Sequence, residues 1–298
     1  MAGFFQKIFG NQNSETDKVP TQPLNQKENE DNVQKAAGHL EPPQLIVGCA
    51  QSVGKQRDHN EDALFTMTTT LASDRNSMPF GLYIVADGMG GHKHGEVASN
   101  LAVRAMASQI TRKLYSPLLS IKPLSPTESI QEIMRDGIEE AHQAINKEAP
   151  GGGTTLTAVL VLGDQLTIAH IGDSRAYTIS ASGEVQTLTR DHSLVKRLVE
   201  LGEITVDEAA VHPQRNVLYR ALGQGDVFDA DISTSPLPHS GHLLLCSDGL
   251  WGVVPEDNLA RMVAESSSPQ QACQNMVEAA NEAGGPDNIT AILVRMLD

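Results

Sequence analysis

The stretch GLYIVADG, residues 81–88, runs from apolar side chains directly into an aspartate and a glycine. Two later stretches have a similar form, LTIAHIGD at residues 166–173 and HLLLCSDG at residues 242–249, and in PDNITAILV at residues 286–294 the aspartate opens the run. Short apolar runs bounded by turn residues are typical of buried strands. The pattern therefore predicts four strands that each carry an aspartate at one end, namely Asp87, Asp173, Asp248 and Asp287.

Aspartates at strand ends are suited to holding metal ions. The end of a strand fixes the direction of a carboxylate, and a neighbouring glycine lets the backbone and a bound ion approach closely. Several carboxylates that converge on one point repel one another unless positive charge lies between them. A pair of hard divalent cations is the simplest such charge, because these ions prefer oxygen ligands.

The rest of the chain predicts a mixture of strands and helices. Apolar residues at helical spacing predict helices from Val97 to Leu114 and from Ile130 to Ile145, with a proline-containing loop at residues 116–126 between them. Ser268 precedes a proline and is the predicted N-cap of a late helix that ends at residues 284–285. Strands are predicted at residues 45–50, 62–67, 81–86, 155–162, 166–171, 175–180, 242–247 and 288–296. Because some of these strands are joined by very short turns, we predict largely antiparallel sheets.

The first 44 residues differ in composition from the remainder. They are rich in Asn, Gln, Glu, Lys and Pro, so they cannot bury enough apolar surface to offset the entropy of ordering. We predict a flexible extension over residues 1–44 and a folded domain over residues 45–298. The apolar residues within residues 1–10 leave open a short amphipathic segment that contacts a membrane or a partner.

Charge and cysteine content narrow the class of protein. The net charge of −15 disfavours a nucleic-acid-binding protein, which normally carries a basic surface. The three cysteines have no spacing typical of a disulfide framework or a zinc site, which predicts a reducing, cytoplasmic location. No apolar run is long enough to span a bilayer, so we expect no transmembrane segment.

A further charged motif precedes the second predicted strand. RDHNED at residues 57–62 combines a guanidinium, which binds phosphate well, with two acids. Alone, this motif would indicate only a charged loop. It becomes informative because six other motifs follow it along the chain: DGMGGH at 87–92, GEVA at 95–98, GTT at 153–155, GDSR at 172–175, SDGLW at 247–251 and DN at 287–288.

This ordered set resembles the metal-dependent (type 2C) protein serine/threonine phosphatase family in its compact bacterial form. The resemblance covers about 250 residues and extends to DHS at 191–193 and HPQRNVLYRALG at 212–223. It implies an α+β fold, with two packed, mainly antiparallel β-sheets flanked by helices in a four-layer α-β-β-α sandwich. It also implies a helical flap at residues 191–223 that lies beside the active site.

The resemblance implies a role for each matching residue. Asp87 would bridge two Mn²⁺ or Mg²⁺ ions, with Glu61 and the carbonyl of Gly88 at one ion. The remaining expected metal ligands are Asp248 and Asp287 at the second ion, and Asp173 with Asp248 at an optional, weaker third ion. Asp62 would orient this set from behind through water or a hydrogen bond.

The same resemblance implies the chemistry. Two ions roughly 3.5–4 Å apart activate a bridging water for in-line attack on phosphorus, and Arg57 holds the phosphoryl oxygens. Animal relatives carry a histidine directly after the bridging Asp-Gly, as the acid for the leaving group. Here that position is Met89, so the sequence does not identify the acid.

Several neighbouring side chains have simpler expected roles. We expect His92 and His94 to lie on the surface or behind the ligands. We expect Ser174 to supply a turn hydroxyl and Arg175 a structural ion pair, and we expect Trp251 to anchor the core.

Three other classes of function are alternatives to phosphoprotein hydrolysis for this sequence. A dinucleotide fold is disfavoured because Lys93 stands where the last glycine of G-x-G-x-x-G belongs. A catalytically silent phosphatase fold, used for regulation or binding, and a phosphatase for a small phosphoester both remain open. The expected partners are phosphorylated proteins and a cognate serine/threonine kinase, with the phosphatase itself a monomer.

Overall fold

The computed structural model describes residues 43–72, 77–90, 93–225, 229–238 and 240–297. The strands are β1 Gln44–Ser52, β2 Asp62–Ala72, β3 Ser77–Met89, β4 Gly153–Thr154, β5 Leu156–Leu162, β6 Gln165–Ile171, β7 Arg175–Ile179, β8 Val185–Thr187, β9 Asp231–Pro236, β10 Gly241–Cys246 and β11 Ile289–Leu297. The helices are α1 Lys93–Ile110, α2 Ile130–Glu148, α3 Leu194–Glu200, α4 Val206–Ala210, α5 Asp248–Trp251, α6 Glu256–Glu265 and α7 Pro269–Glu282. Helix α1 continues through a π-helical turn, Thr111–Tyr115, and a last α-helical turn, Ser116–Leu118.

Two antiparallel sheets form the centre of the fold. Sheet I has the strand order β1-β11-β10-β7-β8, and sheet II has the order β2-β3-β5-β6-β9 with β4 paired to β3. Every strand pair is antiparallel. The predicted α+β fold with two packed antiparallel sheets is therefore confirmed.

Apolar packing on both faces of each sheet creates four layers. Between the sheets lie Tyr83, Val85, Val159, Leu245 and Ile292, all buried. Helices α1 and α2 cover the outer face of sheet II through an apolar cluster of their own, and α6 and α7 cover sheet I in the same way. Because sheet strands are buried on both faces, they read as near-continuous apolar runs rather than as alternating patterns.

The boundaries differ from the sequence predictions in a few places. Ser116–Leu118 continues the helix rather than belonging to the predicted loop, with Pro117 placed just after the π-helical turn. Strand β9 was not predicted because it is an edge strand of exposed, polar residues with no apolar signal. Residues 1–42 lie outside the described residues, and Gln44, which was assigned to the extension, already belongs to β1.

The antiparallel order gathers the predicted acids at one end of the sandwich. Strand β2 begins where β3 ends, and Asp62 is the register partner of Asp87. Strand β10 likewise ends where β11 begins, which brings the turns that carry Asp248 and Asp287 together. No described helix is long and apolar enough to cross a membrane.

Candidate metal centre

An open cleft of about 460 Å³ lies at this end of the sandwich. Its walls contain all but one of the predicted site residues: Arg57, Glu61, Asp87, Gly88, Asp173, Asp248 and Asp287. The exception is Asp62, which is buried behind the cleft wall beneath Asp87. Residues that are far apart in the chain are thus assembled around one space.

Asp87 is held rigidly at the end of β3. Its backbone N–H donates to the hydroxyl of Thr155 at 2.9 Å, and its carbonyl accepts from the backbone N–H of Thr155 at 2.9 Å. Burial raises the pKa of Asp87 well above its usual range, and the charges of Asp62, Asp248, Asp173 and Asp287 raise it further. Without a cation, a carboxylate at this position is therefore costly to ionise.

The carboxylate of Asp62, which is buried behind the cleft wall, is also costly to ionise. One carboxylate oxygen, Oδ2, accepts hydrogen bonds from the hydroxyls of Ser247 at 2.8 Å and Thr290 at 2.6 Å. The other, Oδ1, is buried with no hydrogen-bond partner. Burial, together with the charges of Asp248 and Asp287, raises the pKa of Asp62 to about 7, although its two hydroxyl partners act in the opposite direction.

Asp248 lies at the first position of α5, next to Asp87. Its side chain is close enough to that of Asp87 for a hydrogen bond, and its Oδ1 is buried with no hydrogen-bond partner. Burial and the charge of Asp287 raise the pKa of Asp248 to about 6. Unpartnered, buried carboxylate oxygens are rare in folded proteins and call for an explanation such as a bound ion.

Glu61 and Gly88 are positioned by a close backbone approach. A Cβ at Gly88 would lie 2.2 Å from the carbonyl oxygen of Gly95 and 2.6 Å from that of Glu61, so only glycine fits there. The side-chain amide of Asn288 accepts from the backbone N–H of Glu61 at 2.8 Å and donates to the carbonyls of Val53 and His59. The Asp-Asn pair at the start of β11 therefore organises the loop that carries Glu61.

Arg57 contacts one of the expected metal ligands, Asp287, directly. Its Nη2 donates to Oδ2 of Asp287 at 2.7 Å, while 51% of its side chain stays exposed at the cleft. The hydrogen bond to Asp287 raises the pKa of the guanidinium, so Arg57 remains a cation. A guanidinium carries five N–H donors in a planar fork, so Arg57 can also donate to an anion that enters the cleft.

The turn that carries Asp173 is tied down on several sides. Gly172 adopts φ +111°, and a Cβ there would lie 2.5 Å from the side chain of Thr155. The Ser174 hydroxyl bonds to that of Thr155 at 2.8 Å, and its carbonyl accepts from Thr157 at 2.9 Å. The expected turn hydroxyl at Ser174 is therefore observed. Burial and the charge of Asp248 raise the pKa of Asp173 well above its usual range.

The structure also shows where the neighbouring residues Arg175, Trp251 and His94 lie. Arg175 forms the predicted ion pair, with two hydrogen bonds to Asp191 at 2.9 and 2.7 Å. Trp251 is half-buried and packs against the apolar cluster on sheet I, as expected of a core anchor, and it also stacks on Arg175. His94 is exposed, as expected, and His92 lies outside the described residues.

Several cleft residues, His59, Asn216 and Leu218 among them, were not singled out from the sequence as part of the site. His59 contacts Oε1 of Glu61 at 3.0 Å, and Asn216 and Leu218 reach the cleft from the predicted flap. His59 lay within the RDHNED motif, but nothing local separates it from a surface histidine. Met89 also lines the cleft and has no proton to give.

The donor set fits hard divalent ions that keep part of their water shell. In the described part of the chain, no group of three acidic, histidine or cysteine side chains is drawn together closely enough to hold a metal ion unaided. The carboxylates instead stand around an open space, with two unpartnered oxygens and raised pKa values that a bound cation would lower. Mg²⁺ and similar ions typically bind in this way, through a few carboxylates and several waters.

Comparison with known proteins agrees with this geometry. Residues 48–289 match the family Protein phosphatase 2C. Serine/threonine phosphatase stp of Listeria monocytogenes is 36% identical over 243 residues, which cover 81% of this chain and 92% of that protein.

Solved structures give the same result. The Mycobacterium tuberculosis serine/threonine phosphatase PstP/Ppp is 30% identical with a TM-score of 0.69, over 85% of this chain and 98% of that one. The catalytic domain of PstP in complex with 2 manganese ions has a TM-score of 0.67 at 29% identity, over 86% of this chain and 100% of that one. The chain therefore belongs to the protein phosphatase 2C family.

Proposed function

We propose that this chain hydrolyses phosphoserine and phosphothreonine on proteins at the cleft that contains Asp87. As a member of its family it is a metal-dependent protein serine/threonine phosphatase. The observation that carries the proposal is the convergence of five acids and one arginine from separate parts of the chain on a single open cleft.

The acids would serve as ligands of the expected ions. Asp87 would be a ligand of both of two Mn²⁺ or Mg²⁺ ions, with Glu61 and the carbonyl of Gly88 as further ligands of one. Asp248 and Asp287 would hold the other ion, and Asp173 with Asp248 would hold a weaker third ion. When bound, such ions polarise phosphoryl oxygens and lower the pKa of a coordinated water.

Asp62 supports this set without touching substrate. It lies directly opposite Asp87 and is fixed by the hydroxyls of Ser247 and Thr290. Ser247 precedes Asp248 and Thr290 follows the Asp287–Ile289 turn, so Asp62 connects both strands that carry the second pair of ligands. We expect its unpartnered oxygen to orient a ligand or a water of the metal centre.

Arg57 supplies the positive charge that the acids cannot. It is half-exposed at the cleft, and its hydrogen bond to Asp287 fixes the direction of the guanidinium. A planar fork of N–H donors binds two phosphoryl oxygens at once and stabilises the charge that develops on them during transfer. Met89 cannot protonate the leaving alkoxide, so that proton comes from water or from another group in the cleft.

Two alternative functions are less well supported. A silent, regulatory phosphatase fold would be expected to have lost a ligand, whereas every expected position is present and lines the cleft or lies directly behind it. A small-phosphoester phosphatase would favour an enclosed pocket, whereas this cleft is open and bordered by Asn216 and Leu218 of the flap.

The wider setting follows from the same proposal. A protein phosphatase opposes a serine/threonine kinase in signal transduction, and we propose such a kinase as the functional partner, with the phosphatase acting as a monomer. The buried thiols of Cys246 and Cys273 are free, and burial raises the pKa of each to about 12. Unpaired thiols support a reducing location, which we propose is the cytoplasm.

The decisive experiment measures phosphate release from a phosphothreonine peptide by the full chain. We expect no turnover after treatment with a chelator and full recovery when Mn²⁺ is restored. Phosphotyrosine peptide and p-nitrophenyl phosphate serve as matched substrates that separate protein phosphatase activity from general phosphoester hydrolysis. Turnover without metal, or none after Mn²⁺ is restored, would contradict the proposed function.

A further inference from the structure

Trp251 and Arg175 form a stacked pair beside the cleft. The guanidinium carbon of Arg175 lies 3.5 Å from the centre of the Trp251 ring. The indole Nε1 of Trp251 donates a hydrogen bond to the backbone carbonyl of Asp173 at 3.0 Å. Trp251 ends α5, the helix that Asp248 begins, so this contact links the two acids assigned to the weaker ion.

Arg175 is itself fixed in orientation. Its Nε and Nη2 donate to the two carboxylate oxygens of Asp191 at 2.9 and 2.7 Å, and its Nη1 donates to the hydroxyl of Tyr177 at 3.2 Å. Only 8% of the Asp191 side chain is exposed. A guanidinium that is paired in its own plane keeps its face available for stacking, and that face holds the indole ring in place.

The Asp173 turn is also held by the start of the predicted flap. Gly172 has φ +111°, and the backbone of Gly172 is bound on its other side by His192, whose N–H donates to the Gly172 carbonyl at 2.7 Å. Asp191 and His192 start the predicted flap. The turn, the α5 helix and the base of the flap therefore meet at one point.

We propose that Trp251 is a positioning residue for Asp173, and that Arg175 holds Trp251 in the orientation that this requires. The indole N–H fixes the peptide group of Asp173 and therefore the direction in which its carboxylate enters the cleft. The proposal depends on the proposed role of Asp173 as a ligand of a weaker third ion. It concerns neither the two principal ions nor the contact between Arg57 and substrate.

The first test compares Mn²⁺ binding by calorimetry in the full chain and in single variants. Trp251→Phe keeps an aromatic ring but removes the N–H donor, and Arg175→Lys keeps the charge but removes the planar fork. We expect each to weaken the weakest Mn²⁺ binding step roughly three- to tenfold, the effect of losing one hydrogen bond. The tighter steps should keep the wild-type affinity.

A matched control and a double variant separate positioning from general loss of stability. Tyr83→Phe also removes one aromatic hydrogen bond, the contact of 3.0 Å with Thr68, but does so between the sheets and away from the cleft. It should leave all Mn²⁺ steps unchanged. Asp173→Asn should abolish the weakest step, and adding Trp251→Phe to it should change nothing further, because the two residues act through one site.

Trp251 also provides a direct optical signal, since it is the single tryptophan of the chain. Mn²⁺ is paramagnetic and quenches a nearby indole. We expect two phases of quenching in the wild type as Mn²⁺ is added, with the weaker phase missing in Asp173→Asn. Neither calorimetry nor fluorescence depends on turnover, so these measurements stand apart from the test of phosphatase activity.

Three outcomes would overturn the positioning role. One is wild-type affinity for the weakest step in Trp251→Phe or in Arg175→Lys. Another is a weakening of the tighter Mn²⁺ steps when Trp251→Phe is added to Asp173→Asn. The third is the absence of any weak step in the wild type. Loss of the tight steps in the wild type would instead contradict the proposed function, so the two failures are distinguishable.

Discussion

Asp62 and Asp87 are direct register partners across β2 and β3, and both are held close to other acids at the end of the sandwich. Directly opposed residues of an antiparallel pair place their side chains on the same face, where like charges destabilise the sheet. The fold therefore keeps an electrostatic strain at the proposed metal centre that a bound cation would relieve. This arrangement leads to the following predictions.

Replacing the proposed bridging residue should separate stability from activity. In Asp87→Asn we expect Mn²⁺ binding to be largely lost and kcat/KM for a phosphothreonine peptide to fall more than about 10³-fold. In the presence of chelator the same variant should be more stable than the wild type, because a raised pKa marks a costly ionisation.

Calorimetry with Mn²⁺ and urea unfolding in EDTA measure the two effects of Asp87→Asn. Asp164→Asn, at the turn between β5 and β6, is the matched control and should change neither quantity. Wild-type Mn²⁺ affinity in Asp87→Asn would refute the assignment of the bridging ligand.

The stability of the metal-free protein should depend on pH through Asp62. Its pKa is about 7 in the folded state and ordinarily near 3.8, so the folded state binds more protons between these values. The contribution of Asp62 is fully present below about pH 4 and is lost as the pH rises through about 7. In EDTA, the wild type should therefore lose stability relative to Asp62→Asn as the pH is raised from 4.5 to 7.5.

Urea unfolding of both proteins at several pH values gives the difference directly and cancels groups that titrate alike in both. An advantage of the wild type that grows with pH in EDTA would show that the carboxylate is not penalised in the fold. With Mn²⁺ bound, Asp62→Asn should lower kcat about 10- to 100-fold, the usual effect of losing a group that orients metal ligands.

Arg57 should affect substrate rather than metal. In Arg57→Ala we expect kcat/KM to fall about 10²- to 10³-fold, because a preorganised cation at the phosphoryl group is lost. Arg57→Lys should recover only part of this, since an ammonium lacks the planar fork. Mn²⁺ affinity should be unchanged or tighter, because Asp287 loses a competing cation.

Steady-state kinetics and Mn²⁺ calorimetry test the Arg57 variants together. Arg112→Ala, which removes a surface arginine paired with Glu140 on α2, is the control and should keep wild-type kinetics. A loss of Mn²⁺ binding in Arg57→Ala that accounts for the whole drop in rate would remove Arg57 from the phosphate site.

The polar extension should be dispensable for catalysis. The described fold begins before β1 at residue 43, and all assigned site residues follow it. We expect the chain of residues 43–298 to hydrolyse a phosphothreonine peptide with a kcat/KM within about threefold of the full chain. A much larger fall, with an unchanged unfolding temperature, would assign residues 1–42 to substrate binding.

Much of the fold was predictable because its signals are local. The buried strands at 81–86, 166–171 and 242–247 are continuous apolar runs, and the N-cap of α7 at Ser268 is visible in four residues. Strand β9 was missed because its exposed, polar residues become a strand only by pairing with β6. The stacking of Trp251 on Arg175 was not predicted for a related reason, since the two residues are distant in sequence.

The sequence by itself determined the identity of the acids and their places at strand ends, because apolar runs and adjacent glycines are properties of neighbouring residues. Tertiary structure decided which acids share a space, which one lies behind the others, and which guanidinium contacts Asp287 or supports Trp251. Those distances depend on sheet register and packing between residues as much as 230 positions apart, such as Arg57 and Asp287. Burial and mutual repulsion, which raise the pKa of Asp87, also arise only when the chain has folded.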